Sequence, residues 1–213
     1  ITSEGTQDIA DGATGVYING DDTDATMSGD ITVNSGGTAI VIDGNHASVD
    51  ITGKSTIVGQ GSTGTVINGN KAHITNDGAL NVADGGTGAK ITGDSAIVNN
   101  TGDITVDGTD SIAMSVSGND ALIISEGNQT ITNGAFGTLV NGDNARISNT
   151  GDIAVDGANS AAIIIDGNNS RMTQTGDLLV TNGARGVITY GEGNTVTNTG
   201  NVTVRDVNSI GFI

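Results

Sequence analysis

A glycine recurs along this chain at Gly5, Gly29, Gly53, Gly78, Gly102, Gly127, Gly151, Gly176 and Gly200, in steps of 24 or 25 residues. The motif around it, Thr-Gly-Asp-Ile-x-Val, stands complete at Thr101–Val106 and Thr150–Val155. Looser copies occur at Ser28–Val33, Thr175–Val180 and Thr199–Val204. A period of this length, kept from end to end, restricts the chain to a stack of similar units that bury their apolar faces on one another.

Within the unit that follows Gly102, three short apolar segments are separated by turn residues. Ile104-Thr105-Val106 is closed by Asp107-Gly108, and Met114-Ser115-Val116 by Ser117-Gly118-Asn119. Ala121-Leu122-Ile123 leads to Ser125-Glu126-Gly127. Each segment alternates with period two, and each corner carries Gly, Asn or Asp, which accept positive φ. Helix is opposed by the density of Gly and β-branched residues and by the lack of a sustained 3.6-residue period. The pattern predicts an all-β fold, a parallel β-helix (three-strand β-solenoid) of about 8.7 coils of 24–25 residues, with no helix longer than one turn. At the usual strand spacing, such a rod is roughly 40 Å long.

The expected core is a set of one-residue columns. The second strand supplies Ile18, Ile42, Ile67, Ile91, Val116, Val140 and Ile165. The third supplies Ala47, Ala72, Ala96, Ala121 and Ala145, beside Val49, Ile74, Val98, Ile123, Ile147 and Met172. The alternation of 24 and 25 fits one extra corner residue between Val106 and Val116 compared with Val82 and Ile91. The last coil stops at Ile213 inside its second strand and neither end shows a cap, so residues 1–213 are expected to be one solenoid segment of a longer chain.

Composition narrows the function. Lys plus Arg number 7 against 24 Asp plus Glu, a formal charge of −17. Nucleic acid and anionic membranes bind through clustered cations, so neither is an expected partner, and no apolar run is long enough for membrane insertion. A sulfated polymer also needs a basic stripe. The nearest approach is His73, Arg146 and Arg171 on the third strand, with Ile97 and Leu122 between them. There is no Cys, hence no disulfide or thiolate chemistry.

Catalysis is not expected either. His46 and His73 occupy different columns, carboxylates are scattered over corners, and coils of constant length leave no loop to wall a cleft. No cofactor is expected. The corner column Asp21, Asn45, Asn70, Asp94, Asn119, Asp143, Asn168 and Glu192 is the one place that offers a metal repeated oxygen ligands. Its acids are always separated by Asn, which reads as relief of like-charge repulsion rather than as an ion site. Thr32, Thr105, Thr130 and Thr203 share an outward column, but Asn81, Ala154 and Leu179 interrupt it, leaving a weak ice-binding pattern.

The second strand holds the sharper anomaly. Tyr17, Val41, Val66, Lys90, Ser115, Leu139, Ile164, Ile188 and Phe212 neighbour the inward column and should face solvent, yet seven of the nine are apolar. Two readings stay open. Bends at the corners turn these residues partly inward, or they form an exposed stripe that another surface covers. The candidate association surface is Tyr17, Val41, Val66, Leu139, Ile164 and Ile188, with the neighbouring corner residues Asn45, Asn70, Asn119 and Asn168.

These imperfect Gly/Asn/Asp/Thr-rich coils, without Cys and with few aromatics, resemble the passenger domains of bacterial autotransporters, most closely the self-associating and diffuse-adherence adhesins. Two-partner secretion adhesins look similar. The resemblance implies a right-handed β-helix on the Gram-negative cell surface, held at the outer membrane by a β-barrel translocator. It also implies roles in aggregation, biofilm formation or attachment to a host surface or matrix ligand. The Gly-Asp-Ser-Gly-Ser motif of the related serine proteases is absent. The partners so implied are a second copy of the rod or a host ligand. A passive stalk presenting a distal adhesive domain is one alternative, and a polysaccharide-binding or -cleaving β-helix is another.

Overall fold

The computed structural model describes residues 1–213 and contains 27 strands and no helix. They form three parallel sheets of nine strands each, in which every strand but the two at the sheet's ends pairs with its counterparts one coil before and one coil after. The first sheet holds the strands that follow the repeat glycine, such as Leu80–Ala83 and Ile104–Asp107. The second holds Thr87–Thr92 and Ile112–Ser117, and the third holds Ile97–Asn100 and Leu122–Ser125. The chain is a β-solenoid with three strands per coil. Eight of the nine strands of the second sheet are six residues long, twice the segment marked by alternation alone; the last, Ile210–Phe212, has three.

Register follows the repeat. Val82 pairs with Val106 and Val106 with Ile131 in the first sheet, Ile91 with Val116 in the second, and Val98 with Ile123 in the third. All these side chains enter one continuous core of 42 residues running through the rod. Full burial of each Val or Ile stabilises the coil by roughly 1.5–3 kcal/mol. In the first and third sheets burial alternates residue by residue, as in Ile104–Asp107 and Leu122–Ser125. The second sheet departs from this. Two consecutive residues point inward near each strand start, for example Ala113 and Met114, or Ala162 and Ile163. The bend lies there, and alternation resumes beyond it.

Each corner is built differently. Between the third and first sheets the repeat glycines stack directly on one another. A Cβ added at Gly102 would lie well under 3.0 Å from the carbonyl of Gly78, and the same holds for each member from Gly29 to Gly200. Just before this corner runs a buried amide ladder that sequence periodicity did not reveal. Asn76 Nδ2 donates to the Gly78 carbonyl and to Asn100 Oδ1, both at 2.7 Å, and Asn100 Nδ2 donates to the Gly102 carbonyl at 2.6 Å. Asn149 and Gln174 continue the pattern, with Asn149 Nδ2 donating to Gln174 Oε1 at 3.0 Å. The local signal was Asn-x-Gly, in which the side chain satisfies the corner carbonyl two residues on.

The corner between the first and second sheets holds the extra residue. Asp84–Gly86 spans it in one coil and Gly108–Ser111 in the next. The longer corner ends in Ser, whose Oγ accepts from the Gly N–H of the preceding shorter corner. This pairs Gly36 with Ser62, Gly85 with Ser111, Gly134 with Ser160 and Gly183 with Ser209, at 2.9–3.0 Å. The serines are 49 residues apart, so the true structural unit is a pair of coils, one short and one long.

Replacing Gly102 with Ala should cost about 3 kcal/mol or more, because rigid backbone opposes the new methyl on the glycine below. Gly5→Ala, which meets nothing within 4 Å, should shift stability by about 0.5 kcal/mol or less. Thermal melts followed by circular dichroism compare the two directly.

Candidate functional site

The column in question falls between the two readings: it lies outside the core, but only Tyr17 and Lys90 are exposed and its other members are half-buried or buried. Tyr17, Val41, Val66, Lys90, Ser115, Leu139, Ile164 and Ile188 are register partners in successive coils of the second sheet. The two-residue inward bend falls upstream, at Ala39–Ile40 and its equivalents, and so leaves this column pointing outward. Tyr17 is 58% exposed, while Val41, Val66, Leu139 and Ile164 are half-buried by their neighbours in the stack. Two members need correction. Ile188 is only 3% exposed and offers no surface to a partner. Phe212 pairs with Val187 and belongs to the inward column; the place beside Ile188 is held by Ile213, whose N–H donates to Val187 O at 2.9 Å.

A second apolar group on this face escaped the sequence reading. Thr14, Thr38, Thr63, Thr87, Ile112, Phe136, Ala161 and Arg185 are register partners in a column at the strand starts, with Ala161 buried and Arg185 exposed. Its first members are Thr, which reads as an ordinary solvated column, but Ile112 and Phe136 are large and half-buried. Leu139 and Ile164 stand beyond the inward bend in the same and the following coil, past the break at Lys90 and Ser115. Toward the other end, Tyr17 Oη donates to Asp43 Oδ2 at 2.8 Å, and Asn68 Nδ2 donates to Asp43 Oδ1 at 2.7 Å. The Asp43 bond raises the Tyr17 phenol above its ordinary value. Bonds from Asn68 and then Tyr17 hold the Asp43 carboxyl below its own.

The Asn/Asp corner beside this face is an unbroken ladder. The backbone N–H of Asn45 donates to Asp21 Oδ1, that of Asn70 to Asn45 Oδ1, and that of Asp94 to Asn70 Oδ1. The series continues through Asn119, Asp143 and Asn168 to Glu192, all at 2.7–3.0 Å. The side-chain oxygens of Asn45, Asn70, Asn119 and Asn168 therefore serve the fold first. Asn45 and Asn168 also turn their amide groups back onto Asp21 and Asp143. A shorter ladder of the same kind runs from Asp103 through Asn128, Asp152 and Asp177 to Asn201 at the opposite corner.

Other candidates are dispersed. His46 Nδ1 lies 3.6 Å from Asp22 Oδ1 on one corner, whereas His73 Nε2 contacts Asn99 Nδ2 at 3.1 Å on the third sheet. No group of three or more His, Asp or Glu side chains converges on a point. The Thr column of the first sheet gains Thr56, but Asn81, Ala154 and Leu179 interrupt it as the spacing implied. Inside the rod, a void of about 30 Å³ lies among Ile31, Ser55, Leu80 and Met114, room for little more than a water molecule.

Arg146 and Arg171 stack in adjacent coils of the third sheet, with Leu122 and Ile97 preceding them in the same column. At the strand spacing, two such charges repel by about 0.9 kcal/mol in water. No carboxylate lies within 4 Å of either to relieve them; the one such contact in the chain is the 3.6 Å approach of His46 to Asp22. The chain matches no family model, no curated protein and no solved structure.

Asp107 and Asp156 occupy equivalent places two coils apart and are held below the usual carboxylate range. Thr132 and then Asn133 bond to Asp107, and Thr181 and then Asn182 bond to Asp156. A depressed folded-state pKa stabilises above the unfolded value of about 3.9, and that contribution is lost as pH falls through the folded value. Thr132→Val with Thr181→Val should be less stable than the parent at neutral pH, and the gap should close toward pH 2. Chemical denaturation across that range measures it.

Proposed function

We propose that this chain is a segment of a bacterial surface adhesin that associates with further copies of itself through the outer face of the second sheet. The observation that carries this reading is the outward apolar column, repeated at about 4.8 Å per coil and widened by Ile112 and Phe136. Each half-buried Val, Leu or Ile has apolar surface left to cover, worth about 0.5–1 kcal/mol per residue. One such contact is negligible, but a rod repeats it along its length, and avidity follows from simultaneous engagement. With a charge of −17 on each copy, association at long range is opposed and depends on salt screening. An antiparallel arrangement suits rods projecting from cells that face each other. Localisation on the outer membrane, and a role in aggregation and biofilm formation or host attachment, belong to this same reading. It assigns the segment no catalysis.

A stalk that only holds a distal domain away from the cell is the second reading. It is favoured by the continuity of the corner ladders, which make every coil a support for the next whatever its outer face carries.

Replacing Val41, Val66, Leu139 and Ile164 together with Ser should abolish aggregation of cells that display the protein, with only a modest fall in melting temperature. Settling assays and melts on the same variant measure both. Unchanged aggregation would remove this face from the mechanism and leave the stalk reading in place. Substituting the corner Asn residues is a poorer test, because Asn119→Ala breaks a bond between coils and should cost about 1 kcal/mol of stability by itself.

A further inference from the structure

We propose that Arg146 and Arg171 are the centre of a saccharide-binding site on the third sheet, one that takes an acidic sugar, a polyhydroxylated ring bearing one carboxylate. They are the only two permanent cations of the chain that stack in neighbouring coils of one column. Both are exposed, and neither is engaged in an ion pair although the chain carries 24 acidic residues. A carboxylate placed between two stacked guanidiniums relieves their repulsion and accepts paired N–H donors from each.

The surroundings select the rest of the ligand. An open groove of about 600 Å³ runs beside the pair and is lined on its corner side by Asp120, Asn144 and Asn169. Amide groups donate and accept, and Asp120 accepts, which suits ring hydroxyls. Asp120 also repels a second negative charge, so the site is built for one carboxylate and against a polyanion. Leu122 and Ile97, the latter 37% exposed, continue the arginine column and offer the C–H face of a ring an aliphatic wall. An acidic peptide would bring its charges to this groove without hydroxyls for the Asn pair, and the saccharide is therefore the better fit. The sugar could come from another cell's glycans or from the bacterium's own polysaccharide; the shared chemistry is the ring carboxylate.

The test is solution NMR and calorimetry on the 213-residue chain with four probes. These are a sialic-acid-terminated trisaccharide, methyl galacturonide (one ring with one carboxylate), lactose and succinate. Either acidic saccharide should bind in the millimolar range, shift the side-chain N–H signals of Arg146 and Arg171, and weaken as salt is raised. Lactose and succinate should bind much more weakly or not at all. Response to the trisaccharide but not the uronide points to sialylated glycans, and the reverse points to glycans that end in a single uronate. Arg146→Gln with Arg171→Gln should reduce affinity by about tenfold or more with the melting temperature unchanged, while Arg146→Lys with Arg171→Lys should keep part of it. The proposal is overturned if neither acidic saccharide binds, if the Gln variant binds as well as the parent, or if succinate binds as tightly as the sugars. It is also overturned if the Gln variant loses only self-association, which would assign the pair to a second copy of the chain. Self-association retained by the Gln variant, with saccharide binding lost, separates this site from the apolar face of the second sheet.

Discussion

Every other feature of this rod depends on how closely one coil can approach the next at its corners. Parallel strands pair only when neighbouring coils sit one strand spacing apart, and a corner with a bulky side chain pointing along the axis would hold them apart. At Gly102 and Gly118 the space a Cβ needs is already occupied by the carbonyl of the glycine in the coil below, Gly78 and Gly93 respectively. Two stacked glycine columns therefore set the axial spacing at two of the three corners. The sheets inherit that spacing, and the one-residue core columns inherit the sheets. A single disturbed corner thus unsettles three strand pairings at once.

Close stacking creates a second requirement, because corner N–H and C=O groups point into places where no sheet ladder reaches them. Three kinds of side chain meet it. Exposed Asp and Asn carry an oxygen up to the next coil's N–H from Asp21 to Glu192, buried Asn and Gln satisfy the carbonyls beside the repeat glycine, and Ser closes the alternate corner. Much of the negative charge thereby has a structural reason: a carboxylate is a good acceptor for a backbone N–H, and in the ladder from Asp21 to Glu192 interleaved Asn keeps successive charges at least two coils apart, although Asp152 and Asp177 follow one another directly in the shorter ladder. The chain's acidity follows in good part from corner chemistry.

The solenoid was legible in the sequence because its rules are local. The glycine period, the inward Val and Ile columns, and the extra residue between Val106 and Val116 all follow from spacing, and the register places them as expected. What was hidden depends on more than one coil or on breaks in alternation. The Ser62, Ser111, Ser160 and Ser209 clamps join corners of unequal length, so a search for a single-coil period passes over them. Phe136 and Ile112 lie ahead of a two-residue inward bend, where period-two counting loses track of the faces. Phe212 was misplaced by one residue for the same reason; a one-residue slip moves a side chain to the other face. Asn76 and Asn100 are polar residues inside the core, readable only when the carbonyl two residues on is recognised as their partner.

Function on such a scaffold has few places to reside. Inward columns are fixed by packing, glycine columns by axial spacing, and Asx, Ser and buried Asn columns by backbone satisfaction. Only the outward strand columns are free of these demands, and in them Thr, Ser, Asn and Asp are the residues that solvent alone would favour. Departures from that background are informative because nothing in the fold requires them. Two stand out: the Val, Leu and Ile column with Phe136 on the second sheet, and the Arg146/Arg171 pair on the third. They lie on different faces and differ in chemistry, one suited to a dry contact of low specificity and the other to a charged, hydroxylated ligand. If both proposals hold, a rod that keeps them on separate faces would engage another copy and a saccharide at the same time, without either contact disturbing the coils that carry both.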